Sequence, residues 1–228
     1  MTRRRTVATL CAMRPFFSFT ALVGVLALAS CSPAAPEPTA PAGDDPAVSI
    51  PGIVTEIEGT SPLEDDPFVQ AARAEDTGFL MAVNALDFSI PEFTDTHSAD
   101  AQQEFYDFFV EEYVDGGAPV IMFPGPSIRL PLEVTPNAAG DGADVLFCDA
   151  SVDWAVSQEF PEPAYDLENG EEIVITVVTD DRGNLVFGSE DRNGNPCDAT
   201  GAAVQRFDPA PVVPDGPISL DDVTPPNG

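Results

Sequence analysis

The chain contains no lysine, and nine arginines are its only strong cations against 39 Asp and Glu, giving 228 residues a formal charge of −30. Nucleic-acid affinity rests on Lys and Arg neutralising phosphates, so this balance excludes a general DNA or RNA binder. It should also repel anionic lipid headgroups. Histidine occurs once, at His97, which leaves no His-rich metal pattern. His97 stands between Thr96 and Ser98 just before an expected helix. There an imidazole is expected to be a solvated loop residue, with no nucleophile and acid nearby to complete a triad. Glycine-rich phosphate loops and a nucleophile elbow are absent. These absences leave no catalytic residue, metal or cofactor to expect.

What the chain does have begins at its N-terminus. A basic start (Arg3, Arg4, Arg5, Arg14) leads into an apolar stretch from Phe16 to Ala29 and then into small residues, the three parts of an export signal over residues 1–30. The 14 residues of that stretch fall short of the roughly 20 a spanning helix needs. The pair Arg4-Arg5 is followed by Thr6-Val7 where a twin-arginine signal has Phe, so general secretion is expected. Leu28-Ala29-Ser30-Cys31 resembles the lipobox of bacterial lipoproteins. The resemblance implies cleavage before Cys31 and a diacylglyceryl group on its sulfur. At about 0.8 kcal/mol per buried methylene, two acyl chains anchor a protein stably where one does so only marginally. The expected location is the extracytoplasmic face of the cell membrane, held by lipid.

Cleavage there removes four arginines and no acid, leaving five arginines against 39 carboxylates, a formal charge of −34. An acidic surface of this kind keeps a protein soluble outside the cell. Cys11 leaves with the signal and Cys31 is consumed by lipid, so Cys148 and Cys197 remain as one pair in an oxidising compartment, where a disulfide is expected. Chain entropy assigns a loop of that length roughly 4 kcal/mol.

Residues 31–49 are the lipidated cysteine and a Pro/Ala-rich tether with nothing to bury, long enough to reach about 50 Å if polyproline-like. Residues 50–207 have the size of a single domain. Residues 208–228 mix Pro, acids and Gly and are expected to be disordered. Within the domain, Asp66-Pro67 reads as an N-cap followed by proline at the first helical position. Apolar residues from Phe68 to Leu86 then recur at roughly helical spacing. A second helix is capped at Ser98 or Asp100, places Phe105, Phe108, Phe109 and Tyr113 on one face, and ends at Gly116-Gly117. At helical spacing that aromatic stripe is expected to be core. After Val120, prolines forbid long helices. Strands are expected at 128–134, 143–149, 173–179 and 185–189, the last two joined by the turn residues Asp180 to Asn184. Helices followed by antiparallel strands give an α+β fold, with N-terminal helices packed on a curved antiparallel sheet.

The order of elements, with a Gly/Pro-rich crossing from Gly116 to Pro126, a strand ending in Val145-Leu146-Phe147-Cys148-Asp149-Ala150, Trp154 soon after, and a closing hairpin with Gly183 at its turn, resembles the nuclear transport factor 2-like, or SnoaL-like, domains of exported lipoproteins. The resemblance spans about 67–207 and implies a cone with an open mouth. Catalytic members of that superfamily use an Asp base with Tyr and protonated Asp donors. No position among Tyr106, Asp107, Tyr113 and Asp149 aligns with those, and no catalytic role is carried over. Fold alone does not decide function.

Asp191 to Asn195 starts like a calcium loop but has Pro196 where glycine is needed and Ala202 in place of the closing Glu. An acidic turn is expected there, with weak calcium binding as the alternative. Trp154 is expected to pack in the core. The function expected is a membrane-tethered domain that binds a partner or small ligand without catalysis. Its partners would be the membrane through Cys31 and a small apolar ligand or a basic protein. The alternative is an isomerase- or hydratase-like enzyme acting inside the cone, which would need a buried carboxylate or Tyr beside an apolar pocket. Replacing Cys31 with Ser is expected to move the protein from the membrane to the soluble fraction or to stall its processing. Normal cleavage with unchanged membrane partition would contradict the lipid anchor.

Overall fold

The structure, a computed structural model, describes residues 51–157 and 162–227. The export signal, Cys31 and the tether lie outside the described residues. Nine elements make up the frame: β1 (Gly52–Ile57), α1 (Pro67–Ala85), α2 (Pro91–Thr94), α3 (Ala99–Phe109), β2 (Arg129–Pro136), β3 (Gly142–Asp149), β4 (Gly170–Thr179), β5 (Leu185–Cys197) and β6 (Val204–Asp208). Strands β2 to β5 form an antiparallel sheet in sequence order, and β1 pairs antiparallel with β6 in a separate ribbon. The class is α+β.

Local chemistry sets the helix ends. Asp66 Oδ1 accepts the Phe68 N–H at 2.9 Å, with Pro67 opening α1 where its missing N–H costs nothing. Ser98 Oγ accepts the Ala101 N–H at the start of α3. Gly78, which lowers the intrinsic helicity of α1, has a packing reason. A Cβ there would lie 2.0 Å from the Glu92 carbonyl oxygen, so its absence lets α2 dock on α1. Helix α3 stops at Phe109 and continues to Asp115 as π-helical turns.

Alternation in β4 sends Ile173, Ile175 and Val177 to a buried face, where Val145 and Phe147 of β3 join them under Val69 and Ala72 of α1. The far half of α1 packs Leu80, Met81 and Val83 against Phe88, Phe93 and Phe109. A third cluster surrounds Trp154, whose Nε1 donates to the carbonyls of Pro126 (3.0 Å) and Gly125 (3.2 Å) and which is core, as expected. The Cys148–Cys197 disulfide joins this cluster, tying β3 to the end of β5 across a Cα separation of 5.8 Å. Gly170 lies against it, where a Cβ would meet the Cys148 sulfur at 2.6 Å.

Three expectations need correction. The segment after Asp208 is not disordered. Ile218 and Val223 are buried in the cluster with α1 and α3, and Thr224 exchanges backbone hydrogen bonds with Leu86 and Phe88, both at 2.9 Å. Composition misled because proline needs no ladder partner, so a Pro-rich strap can pack while satisfying few donors. The aromatic stripe is also divided: Phe109 is core, Phe105 is half-buried, and Phe108 is 55% exposed. The strands β1 and β6 were not anticipated.

Candidate functional site

Helix α1 carries two carboxylates, Glu75 and Asp76, where helical periodicity calls for apolar residues, and both are buried at 6% and 7% exposure. They sit three and four positions after Ala72 on the face turned to the sheet. Opposite them β2 opens with Arg129, an arginine within the apolar run Ile128 to Leu130, itself 7% exposed. Each guanidinium nitrogen meets a different carboxylate. Nη1 lies 3.1 Å from Asp76 of α1, Nε 3.3 Å from Asp149 of β3, and Nη2 3.1 Å from Glu190 of β5.

The carboxylates are themselves held. Asp76 accepts from the Ser127 N–H (2.8 Å) and Oγ (2.6 Å), and Asp149 accepts from the Ser151 N–H at 2.7 Å. Glu190 also meets Arg192 Nη2 at 2.9 Å. Burial opposes the Arg129 charge, but attraction to Asp76, Asp149 and Glu190 outweighs it and raises the pKa above the ordinary arginine value. Arg129 is therefore a permanent charge with a carboxylate against each of its three nitrogens.

This cluster forms the polar end of a cleft of about 1050 Å³ bounded by α1, α3 and the ends of β2 to β5. Its apolar wall is made by Phe79, Leu80, Phe105, Phe108 and Phe187, with the Phe105 and Phe187 rings 5.5 Å apart. Acidic residues on the α3 and β4 sides, Asp100, Glu104 and Glu171, complete the lining.

Glu75 lies on the cleft lining and faces inward to His97, the residue expected in solvent. That expectation fails: His97 is 3% exposed, packed between Phe93 (4.3 Å between ring centroids), Phe105 (5.3 Å) and Phe187 (5.8 Å). Its Nδ1 contacts the Phe93 carbonyl at 3.0 Å, so that nitrogen carries a proton. Nε2 then faces Glu75 Oε1 at 3.3 Å but makes no hydrogen bond of proper alignment. Burial pushes the Glu75 carboxyl above its ordinary 4.5. The nearby His97 ring partly offsets this, Asp76 adds to it, and Arg129 acts against it more weakly.

Other residues singled out in the sequence fall elsewhere. Asp191 to Asn195 lie within the exposed outer half of β5, not in a loop, and no group of three or more His, Cys, Asp or Glu among the described residues could hold a metal ion. Tyr106 packs on Phe88 and Tyr113 on Phe109, away from the cleft. Asp149 does reach the cleft, as a partner of Arg129. Sequence reasoning missed Glu75, Asp76 and Arg129. Their signal was a charged pair inside the apolar stripe of α1 and one arginine inside an apolar strand. No helix among the described residues is long and apolar enough to cross a membrane. Comparison of the chain with protein families, with curated proteins and with solved structures found no match.

Arg129→Met is expected to destabilise the fold by about 3–5 kcal/mol, because it strands the buried Asp76 and Asp149 charges. Urea unfolding near neutral pH checks this, and an unfolding free energy equal to that of the native protein would contradict the role given to the clamp. A second expectation follows from Glu75. A carboxyl whose folded pKa is raised contributes stability that is complete below pH 4.5, its ordinary value, and is lost as pH rises through the folded value. Glu75→Gln removes this loss. The melting-temperature difference between Glu75→Gln and native protein should thus grow in favour of Gln as pH rises from about 4, then level off. A difference constant across that range would show that Glu75 titrates as in water.

Proposed function

We propose that this chain is an exported lipoprotein, anchored at the extracytoplasmic membrane face by lipid on Cys31, whose domain binds a small ligand in the cleft between α1, α3 and the sheet. The observation that carries the binding reading is the cleft itself. A concave site with a continuous aromatic wall and a few fixed polar groups is the usual form of a small-molecule pocket, and at about 1050 Å³ it is far larger than a packing defect. The aromatic stripe of α3, expected to close the gap between helix and sheet, leaves it open. An α+β domain with helices against an antiparallel sheet and a pocket between them also suits the nuclear transport factor 2-like reading, including its curved, cone-like sheet. The N-terminal signal, lipobox and tether support the anchored location, and the formal charge of −34 opposes nucleic acid as a partner.

One observation favours a second reading, proton-transfer catalysis on an apolar small molecule. Glu75 is a buried carboxyl with a raised pKa at the wall of this cleft, the kind of environment in which carboxyls serve as general acids or bases. Binding remains the main reading because Asp76, Asp149 and Glu190, other carboxylates of the lining, are engaged by Arg129 and so are not free for proton transfer.

The test is a fragment screen by NMR against the whole chain, repeated with Ala101→Trp, which places an indole in the cleft lining. Fragment-induced shifts are expected to cluster on α1, α3 and β5 and to be lost in the Trp variant. Shifts scattered over the surface, or unchanged by Ala101→Trp in a folded protein, would overturn the cleft as the binding site. Turnover of a bound fragment that disappears in Glu75→Gln, while the variant still folds cooperatively and still binds the fragment, would move the protein to the catalytic reading.

A further inference from the structure

We infer that the cleft takes an organic cation, an ammonium or guanidinium group carried on an apolar body, whose charge is met by Glu75, Glu104 and Glu171 and whose body lies on Phe105 and Phe187. The inference rests on the cleft being a ligand site and adds the chemistry of its ligand.

The charges lining the cleft decide the sign. Seven carboxyl residues face two guanidiniums there. Asp76, Asp149 and Glu190 are consumed by Arg129, whose three nitrogens are each taken, and Arg192 is paired with Glu190. An anionic ligand would therefore find both guanidiniums of the lining already ion-paired, and a surplus of like charge around them. Glu75, Asp100, Glu104 and Glu171 have no arginine partner among the described residues.

An acidic rim is ordinary in a chain with this composition, but Glu75 is not part of a rim. It is 6% exposed and still lines the cleft, and the ring nitrogen it faces at 3.3 Å, His97 Nε2, is buried without a hydrogen bond. Buried polar groups are nearly always satisfied. A cation entering from the cleft would bring donors to Glu75 and give its carboxylate form the counter-charge that no arginine among the described residues supplies. Beside it the Phe79, Phe105 and Phe187 rings offer the π-faces on which ammonium and guanidinium groups are stabilised. Phe108 stands 55% exposed on the same helix as Glu104, extending this pairing of ring and carboxylate to the mouth. A bare metal ion would use none of the aromatic wall, and the carboxylates do not converge as a metal ligand set among the described residues.

Three probes of one shape and different charge test this by calorimetry and NMR on the whole chain: phenethylammonium, phenethyl alcohol and phenylacetate. The ammonium is expected to bind in the cleft at least about tenfold more tightly than the alcohol, with phenylacetate weakest. Glu75→Gln, close to isosteric, and Glu104→Gln, on the surface of α3, should each lower the preference for ammonium over alcohol severalfold. Together they should lower it further, and adding Glu171→Gln should abolish it, while binding of the alcohol is kept. Equal binding of all three probes in the cleft, or a preference for phenylacetate, would overturn the cation assignment and leave the cleft a ligand site. Absence of cleft shifts with every probe and every fragment would overturn both. An ammonium preference untouched in both Gln variants would also defeat the assignment, since the charge would then be read elsewhere.

Discussion

The Arg129 clamp is the interaction on which the arrangement of α1 against the sheet depends. Helix α1, strand β3 and the outer part of β5 each bring a carboxylate to one point, and three negative charges cannot be buried together without a cation between them. Arg129 occupies that point from β2 with one nitrogen for each. Such a cluster need not add net stability over an apolar one of equal volume, because desolvation consumes much of the Coulombic gain. What it supplies is register. A guanidinium fork has fixed directions, so α1, β3 and β5 can satisfy it only in one mutual placement, and that placement leaves the cleft open beside it.

The same scarcity of cations shapes the rest of the molecule. Of the five arginines in the expected mature chain, four bind across elements. Arg73 of α1 pairs with Glu64 and donates to the Arg129 carbonyl of β2, Arg192 of β5 joins Arg129 on Glu190 and lies 3.9 Å from Asp149 of β3, and Arg206 of β6 pairs with Glu56 of β1 while lying 4.8 Å from the Trp154 ring centroid. Exposed pairs of this kind are individually worth about 1 kcal/mol or less. Their positions still matter in a protein with such an excess of negative charge, where self-repulsion works against the compact state. The few cations are spent at junctions between elements, which is why the cleft lining is left with carboxylates that have no arginine.

Much of this fold was legible in the sequence because its elements follow local rules. Asp66-Pro67 and Ser98 mark helix starts through hydrogen bonds made within three residues, and the β-branched run 173–179 can only be a strand. The turn at 180–184 is fixed by Asp180 Oδ1 accepting the N–H groups of Arg182 and Asn184. The Cys148–Cys197 pairing followed from there being one pair left. What was not legible depends on partners far along the chain. Strand β1 has six exposed residues and acquires its identity only by pairing with β6, some 150 positions later. The Pro-rich strap looks like a tail until Ile218 and Val223 find the gap beside α1 and α3. The split of the aromatic stripe, with Phe109 inward and Phe108 outward, is set by how α3 leans on its neighbours, which helical spacing alone does not specify.

The site residues were hidden for a related reason, and that reason is informative. Glu75 and Asp76 break the apolar pattern of α1, and Arg129 breaks that of β2, so each weakens the local signal for its own element. Asp76 and Arg129 answer one another, and their violations cancel in the folded state. Glu75 has no such answer: burial works against its charge, and its imidazole neighbour is too poorly aligned to bond it. A Gln or Leu at 75 would serve the packing of α1 with less desolvation. Unrelieved departures from local consistency are expected where a protein meets something other than itself. Here Glu75, buried with no arginine partner among the described residues, lies on the wall of the cleft, and that coincidence ties the energetics of the core to the chemistry of the site.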